Sequence, residues 1–127
     1  MSIKSSQSLV NEALKLVKTI SPQDALQLSK NKQCNLIDIR DIRELQKEGK
    51  IIDSQHIPRG MLEFWLDPDS IYFKEGKLDM NKEMVLFCAG GLRSALSAKT
   101  LQEMGFKNVS HIEGGFALMK ASGFEIV

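Results

Sequence analysis

Three short apolar runs, Asn35-Leu36-Ile37-Asp38-Ile39, Met84-Val85-Leu86-Phe87 and Val109-Ser110-His111-Ile112, constrain this chain more than any other feature. Each is too short for a stable helix and is bounded by polar or turn residues, so each reads as a buried strand. The stretches between them carry helical spacing over about ten residues, too long for hairpin turns. Strands alternating with helices indicate an α/β fold with a mainly parallel sheet, and the right-handed crossover rule places helices on both faces.

The helix signals are local. Val10, Ala13, Leu14 and Val17 share one face of an N-terminal helix. Ser21-Pro22-Gln23-Asp24 combines a capping serine, a first-position proline and an acidic first turn, and Ala25, Leu26 and Leu28 follow as the apolar face. Asp41 precedes Glu44 by three residues, a capping-box spacing, and Gly49 is placed to end that helix. Ile51 to Pro58 is mixed, with Pro58 arguing against a long central strand. One helical turn is expected around Leu62, Phe64 and Trp65, and an exposed excursion from Ile71 to Lys82. Ser94 is expected to open a helix with Leu96, Thr100 and Leu101 on one face and Gly105 at its end. Gly114-Gly115 turns the chain into a last helix from Phe116 to about Ala121.

With 127 residues the chain suits one domain, here divided as a helical extension over 1–20 and a folded unit over 21–127. Lys and Arg number 17 and Asp and Glu 16, a net charge of +1 that gives no electrostatic reason to expect nucleic acid or a membrane surface as partner. The lysines from Lys74 to Lys82 are interleaved with acids and read as solvated loop. No stretch approaches the ~20 apolar residues of a membrane span, and the first residues lack a signal-peptide run. Two distant cysteines, Cys34 and Cys88, do not make a disulfide scaffold, so a reducing cytoplasm is the expected setting. The two histidines and two cysteines lack metal-ligand spacing, so neither metal nor cofactor is expected.

Cys88 stands where an apolar strand ends and a loop enters a helix, the edge at which open α/β sheets bind ligands. Ala89, Gly90 and Gly91 are small enough for successive backbone N–H groups to form an anion-binding nest, and the following helix aims its positive end at the same point. Such surroundings favour a thiolate. Arg93 adds a permanent charge and a fork suited to an oxyanion, and Ser94 a hydroxyl. A free cysteine after a strand is commonly an inert packing residue. The glycine pair and Arg93 at a helix mouth set this one apart.

Cys88-Ala89-Gly90-Gly91-Leu92-Arg93 followed by Ser94 resembles the active-site loop of single-domain rhodaneses, the sulfurtransferases. Leu36-Ile37-Asp38-Ile39-Arg40, the segment from Gly49 to Pro58, Gly105-Phe106-Lys107-Asn108-Val109 and Glu113-Gly114-Gly115-Phe116 resemble further markers of that family in the expected order, over about residues 20 to 125. The resemblance implies a rhodanese-like three-layer α/β/α fold. It also implies that Cys88 takes sulfane sulfur from a donor such as thiosulfate, holds it as a persulfide cradled by loop N–H groups from Ala89 to Arg93, and passes it to cyanide or a thiol. Asp38 and Arg40 would tie the first strand's end to neighbouring loops. Ser54 and Gln55 replace the family's Gly-Ala pair, Lys50 its first histidine, and Met119 a frequent tryptophan.

Three other readings differ in class. A protein-to-protein sulfur carrier, or a binding module of the same fold, would keep the loop with little small-donor turnover. A phosphatase or arsenate reductase of the same fold places one residue more between cysteine and arginine than the four found here. A dinucleotide site at Gly90-Gly91 lacks the required glycine spacing. His56 and His111 read as scaffold, Cys34 as a packed residue, and Trp65, Phe64 and Phe73 as core that could also line the pocket mouth.

Overall fold

The computed structural model describes residues 2–73 and 75–127. Met1, in the helical extension, and Lys74, in the lysine-rich excursion, lie outside the described residues. The strands are β1 (Lys18–Ile20), β2 (Cys34–Asp38), β3 (Gln55–His56), β4 (Glu83–Phe87) and β5 (Val109–Ile112). The helices are α1 (Ser6–Leu16), α2 (Pro22–Lys30), α3 (Ile42–Glu48), α4 (Leu62–Leu66), α5 (Leu92–Glu103) and α6 (Gly115–Ala121), with a 3₁₀ turn over Arg59–Met61. The strands lie in the order β1-β5-β4-β2-β3 and every strand pairing is parallel. The sheet expected to be mainly parallel is wholly so.

Alternation along the strands builds two cores. Ile37, Met84, Leu86 and Val109 face Leu62 and Leu66 of α4 and Ala98 and Leu101 of α5. Leu36, Val85, Phe87 and Ile112 face Ala25 of α2 and Phe116 and Met119 of α6. The result is a three-layer α/β/α arrangement. On the α5 side, Val10 and Ala13 of α1 pack on Ala95 and Leu96, so the N-terminal helix covers an apolar face of the domain itself. Leu14, expected on that buried face, is 41% exposed, and Val17 is buried just beyond the helix end.

Residues 18–20, expected to close the helical extension, extend the sheet instead, with Thr19 paired to His111 in register. β3 is a two-residue edge strand that stops before Pro58, which has no N–H to donate. Local signals set most other boundaries. Ser21 Oγ accepts the Asp24 N–H at 3.1 Å, and Asp41 and Glu44 form the capping box of α3. At the end of α5, Gly105 N–H reaches Gln102 O at 3.0 Å and Phe106 N–H reaches Leu101 O at 3.1 Å, a Schellman closure. The start of α5 departs from expectation. The helix opens at Leu92, two residues before Ser94, with Gly91 as a left-handed cap, so Arg93 and Ser94 lie in its first turn. β4 is the middle strand, and its carboxyl end leads directly into this turn.

Candidate functional site

Cys88 is 1% exposed, and its surroundings are built from the loop backbone. Its Sγ accepts the Gly91 N–H at 3.2 Å and the Ser94 N–H at 3.3 Å, and lies 3.5 Å from Ser94 Oγ. Ser94 is the third residue of α5, so the sulfur occupies the place of a capping side-chain oxygen at the helix's positive end. Gly91 makes this possible at φ +98°, where a side chain would be strained and its Cβ would stand 3.3 Å from Gly114 N. Burial alone would push the Cys88 thiol up. The Ser94 hydroxyl and the N–H groups of Ser94, Gly91 and Gly90 outweigh it and hold the thiol below its ordinary value.

The loop is also held from behind. Phe116 N–H donates to Cys88 O at 2.8 Å and Ala117 N–H to Ala89 O at 3.3 Å, so the first turn of α6 grips the two carbonyls. Gly115 lets α6 come this close. A Cβ there would sit 2.3 Å from Cys88 O and 2.9 Å from Ala89 O. The sequence showed Gly114-Gly115 only as a turn.

Arg93 does not stand free at the loop mouth. Its Nη1 and Nη2 each donate to a Glu44 carboxylate oxygen at 2.9 Å, a bidentate pair between the first turns of α5 and α3. The pair holds the Glu44 carboxyl below its usual range. Asp41, Arg43, Glu44, Lys47, Glu48 and Arg93 line an open concavity of about 660 Å³ there, three acids against three bases. Ala89 is half-buried, while Gly90 and Leu92 are exposed.

Asp38 and Arg40 are both fully buried and pair with each other, Arg40 Nε and Nη2 reaching Asp38 at 2.9–3.2 Å. Arg40 Nη2 also donates to Gly49 O at 2.9 Å, and its guanidinium lies 4.0 Å over the Phe116 ring. One side chain thus links the end of β2, the end of α3 and the start of α6.

A rhodanese-like domain family model matches residues 21–122. The chain belongs to the rhodanese-like domain family. A thiosulfate sulfurtransferase, GlpE, from Pseudomonas savastanoi is 33% identical over 105 residues, which cover 83% of this chain and 89% of that protein. The polysulfide-sulfur transferase homodimer of Wolinella succinogenes is 35% identical with a TM-score of 0.75, covering 95% of this chain and 85% of that one. A Rhodopseudomonas palustris protein of unknown function, termed a possible tyrosine phosphatase, is 44% identical with a TM-score of 0.91 and covers 100% of this chain and 98% of its own. A tRNA uridine(34) hydroxylase from Pelagibacter ubique is 31% identical over 112 residues, but the matched region spans only 37% of it. These likenesses place the chain among rhodanese-like proteins with sulfurtransferase relatives.

Within this rhodanese-like domain a further column of polar groups runs inward from Cys88. Ser94 Oγ lies 2.9 Å from His111 Nδ1, and His111 Nε2 lies 2.9 Å from Thr19 Oγ1. His111 is buried, and Thr19 is exposed on β1, before the matched span. No local motif marks Thr19. Glu44 was visible as a helix-capping residue, and its place beside Arg93 follows from both helices starting at one edge of the sheet. His56 contacts Arg40 O at 2.7 Å. Cys34 is half-buried at the opposite, amino-terminal end of β2, and burial together with nearby Glu83 pushes its thiol up to about 11. Trp65 and Phe73 help line an apolar cavity of about 240 Å³ with Ile57, Leu66 and Leu78, whereas Phe64 is exposed. Among the described residues no cluster of three or more His, Cys, Asp or Glu is arranged to hold a metal ion, and no helix is long and apolar enough to cross a membrane.

Proposed function

We propose that this protein is a rhodanese-type sulfurtransferase that carries sulfane sulfur on Cys88. The observation behind the reading is the Cys88 sulfur itself, buried yet held at a helix mouth by two backbone N–H groups at 3.2 and 3.3 Å. In the first step the thiolate attacks the outer sulfur of a donor. With thiosulfate, the donor's S–S bond breaks, sulfite leaves with the electron pair, and Cys88 becomes a persulfide anion. The same N–H groups, with Ala89 to Arg93 around them, receive that anion. A thiolate or cyanide then attacks the terminal sulfur and Cys88 thiolate returns, two steps in a ping-pong order. Arg40, held by Asp38, supports the loop through Phe116. Both cysteines are free thiols, which suits the cytoplasm.

A second reading is favoured by the balanced charge beside Arg93. Because Glu44 already occupies the guanidinium fork, an anionic small donor gains little there. A protein donor or acceptor would not need that charge, and the domain would then serve as a protein-to-protein sulfur carrier. The phosphatase reading suggested by the Rhodopseudomonas relative meets a four-residue interval between Cys88 and Arg93, together with an arginine already paired. Intact mass after incubation with thiosulfate or polysulfide is expected to rise by one sulfur atom per chain, reversed by cyanide and absent in Cys88→Ser. No cyanide-labile sulfur with any donor would sink the proposal. Cys88-dependent hydrolysis of an aryl phosphate would replace it with the phosphatase.

A further inference from the structure

The column Cys88–Ser94–His111–Thr19 leads from a buried sulfur to the surface at the sheet edge. It arises from the register of β1 and β5, which sets Thr19 opposite His111, and from the first turn of α5, which lays Ser94 between His111 and the sulfur. Each imidazole nitrogen meets a hydroxyl at 2.9 Å, so both ring positions are committed. Neutral imidazole has one donor and one acceptor, and hydroxyls do both. The column therefore has two self-consistent directions, and the state of the sulfur selects between them.

We propose that Ser94, His111 and Thr19 form a proton relay that carries the Cys88 proton to the surface at β1, with His111 as the positioning residue that switches tautomer as the sulfur ionises. In the thiol state Sγ–H donates to Ser94 Oγ, Ser94 donates to Nδ1, and Nε2–H donates to Thr19 Oγ1. On ionisation the Sγ–H bond breaks and its proton bonds to Ser94 Oγ. The former Ser94 proton passes to Nδ1, the Nε2 proton passes to Thr19 Oγ1, and the original Thr19 proton enters water. Every relay residue keeps its proton count. The new direction has Thr19 donating to Nε2, Nδ1–H donating to Ser94, and Ser94 donating to the thiolate. The relay also separates the proton's exit from the loop mouth, where the sulfur donor arrives.

Most charged groups around the column are paired with one another. Arg93 near Cys88 is held by Glu44, and Lys18 of β1 lies 3.6 Å from Glu83 of β4. On the helices of that face, Lys4 pairs with Glu12 of α1 and Lys99 with Glu103 of α5. Glu113 follows β5 and is exposed. Burial holds His111 below its ordinary value and so favours the neutral ring.

The inference rests on Cys88 as the reactive thiol, but its test uses no sulfur donor. Absence of sulfur transfer and absence of a relay are thus separate results. The full-length ¹⁵N-labelled protein is titrated while long-range ¹H–¹⁵N correlations report the two histidines, with His56→Gln assigning them. Cys88 ionisation is followed in parallel by thiolate absorbance. His111 is expected to stay neutral and to change from the Nε2–H to the Nδ1–H form at the midpoint of Cys88 ionisation. Ser94→Ala is expected to abolish the change while Cys88 still ionises. Thr19→Val, at an exposed position, is expected to slow the interconversion about tenfold, the rate equivalent of one lost hydrogen bond, with Thr19→Ser restoring it. His111→Phe is expected to raise the pH midpoint of Cys88 alkylation by about one unit with the plateau rate unchanged. A single tautomer throughout, an imidazolium forming as the thiolate forms, or a switch that survives Ser94→Ala would each overturn the relay.

Discussion

Gly115→Ala tests how the Cys88 loop is held. At φ +56° an alanine pays roughly 1 kcal/mol for left-handed backbone, before any contact is counted. Its Cβ would stand 2.3 Å from Cys88 O, so carbon and oxygen must separate by about 1 Å to reach an ordinary contact near 3.3 Å. The opposing atoms are backbone and have no rotamer to yield. Overpacking of this kind costs about 1–3 kcal/mol. A shift of that size also breaks the 2.8 Å bond from Phe116 N–H to Cys88 O, another ~1 kcal/mol. The expected loss is about 3–5 kcal/mol, on the order of 10–20 °C in Tm for a chain of this size. Urea unfolding reads the stability, and the iodoacetamide rate reads whether Sγ has left the Gly91 and Ser94 N–H groups. Gly60→Ala is the control, because nothing lies within 4 Å of its Cβ and it should change stability by only a few tenths of a kcal/mol. If Gly115→Ala stays within about 0.5 kcal/mol of the parent and alkylates at the same rate, α6 does not grip the loop as described.

Arg40→Leu should lose about 3–5 kcal/mol by leaving Asp38 charged and buried without its partner, and adding Asp38→Asn should recover part of it; equilibrium unfolding of the single and double variants checks this. Asp41 is held at about 2 against an ordinary 3.8, first by its hydrogen bond from the Arg43 side chain. Its folded value is depressed, so its contribution is complete above the ordinary value and is lost as pH falls through about 2. Asp41→Asn keeps the cap and removes the charge, so it should be less stable than the parent near neutrality, with the gap closing by pH 2; a constant gap would contradict the assignment. Limiting iodoacetamide at neutral pH should label Cys88 before Cys34, although Cys34 is the more exposed thiol, because burial raises Cys34 to about 11 while the loop lowers Cys88. Peptide mass spectrometry giving the reverse order would refute the description of the nest.

What was legible in the chain was what is local. Met84 to Phe87 reads as a strand from its apolar run alone, and Gly105 ends α5 because the Schellman closure needs a residue at positive φ. Lys18-Thr19-Ile20 could not be read this way. Three residues, two of them exposed, carry no alternation, and their strand exists only because β5 offers an edge. The start of α5 at Leu92 is hidden in the sequence for a related reason. Ser94 looks like an ordinary capping serine, whereas the cap is the Cys88 sulfur, six residues earlier in the chain. Arg93 was visible as a charge, but its partner Glu44 lies 49 residues away. His111 looked like scaffold because its two hydroxyl partners come from elements that only the fold brings together.

The strand that carries Thr19 is three residues long and has a neighbour on one side only. Short outer strands open at lower free energy than the middle of a sheet, where β4 is held on both sides. The sulfur is therefore expected to sit in the part of the molecule slowest to exchange its amide protons with deuterium, and the far end of its hydrogen-bond column in a part that exchanges early. Warming should loosen the column before it loosens the thiol's own cradle, so reactivity at a fixed pH should drift well below the melting temperature, while the fold as a whole still gives a native spectrum.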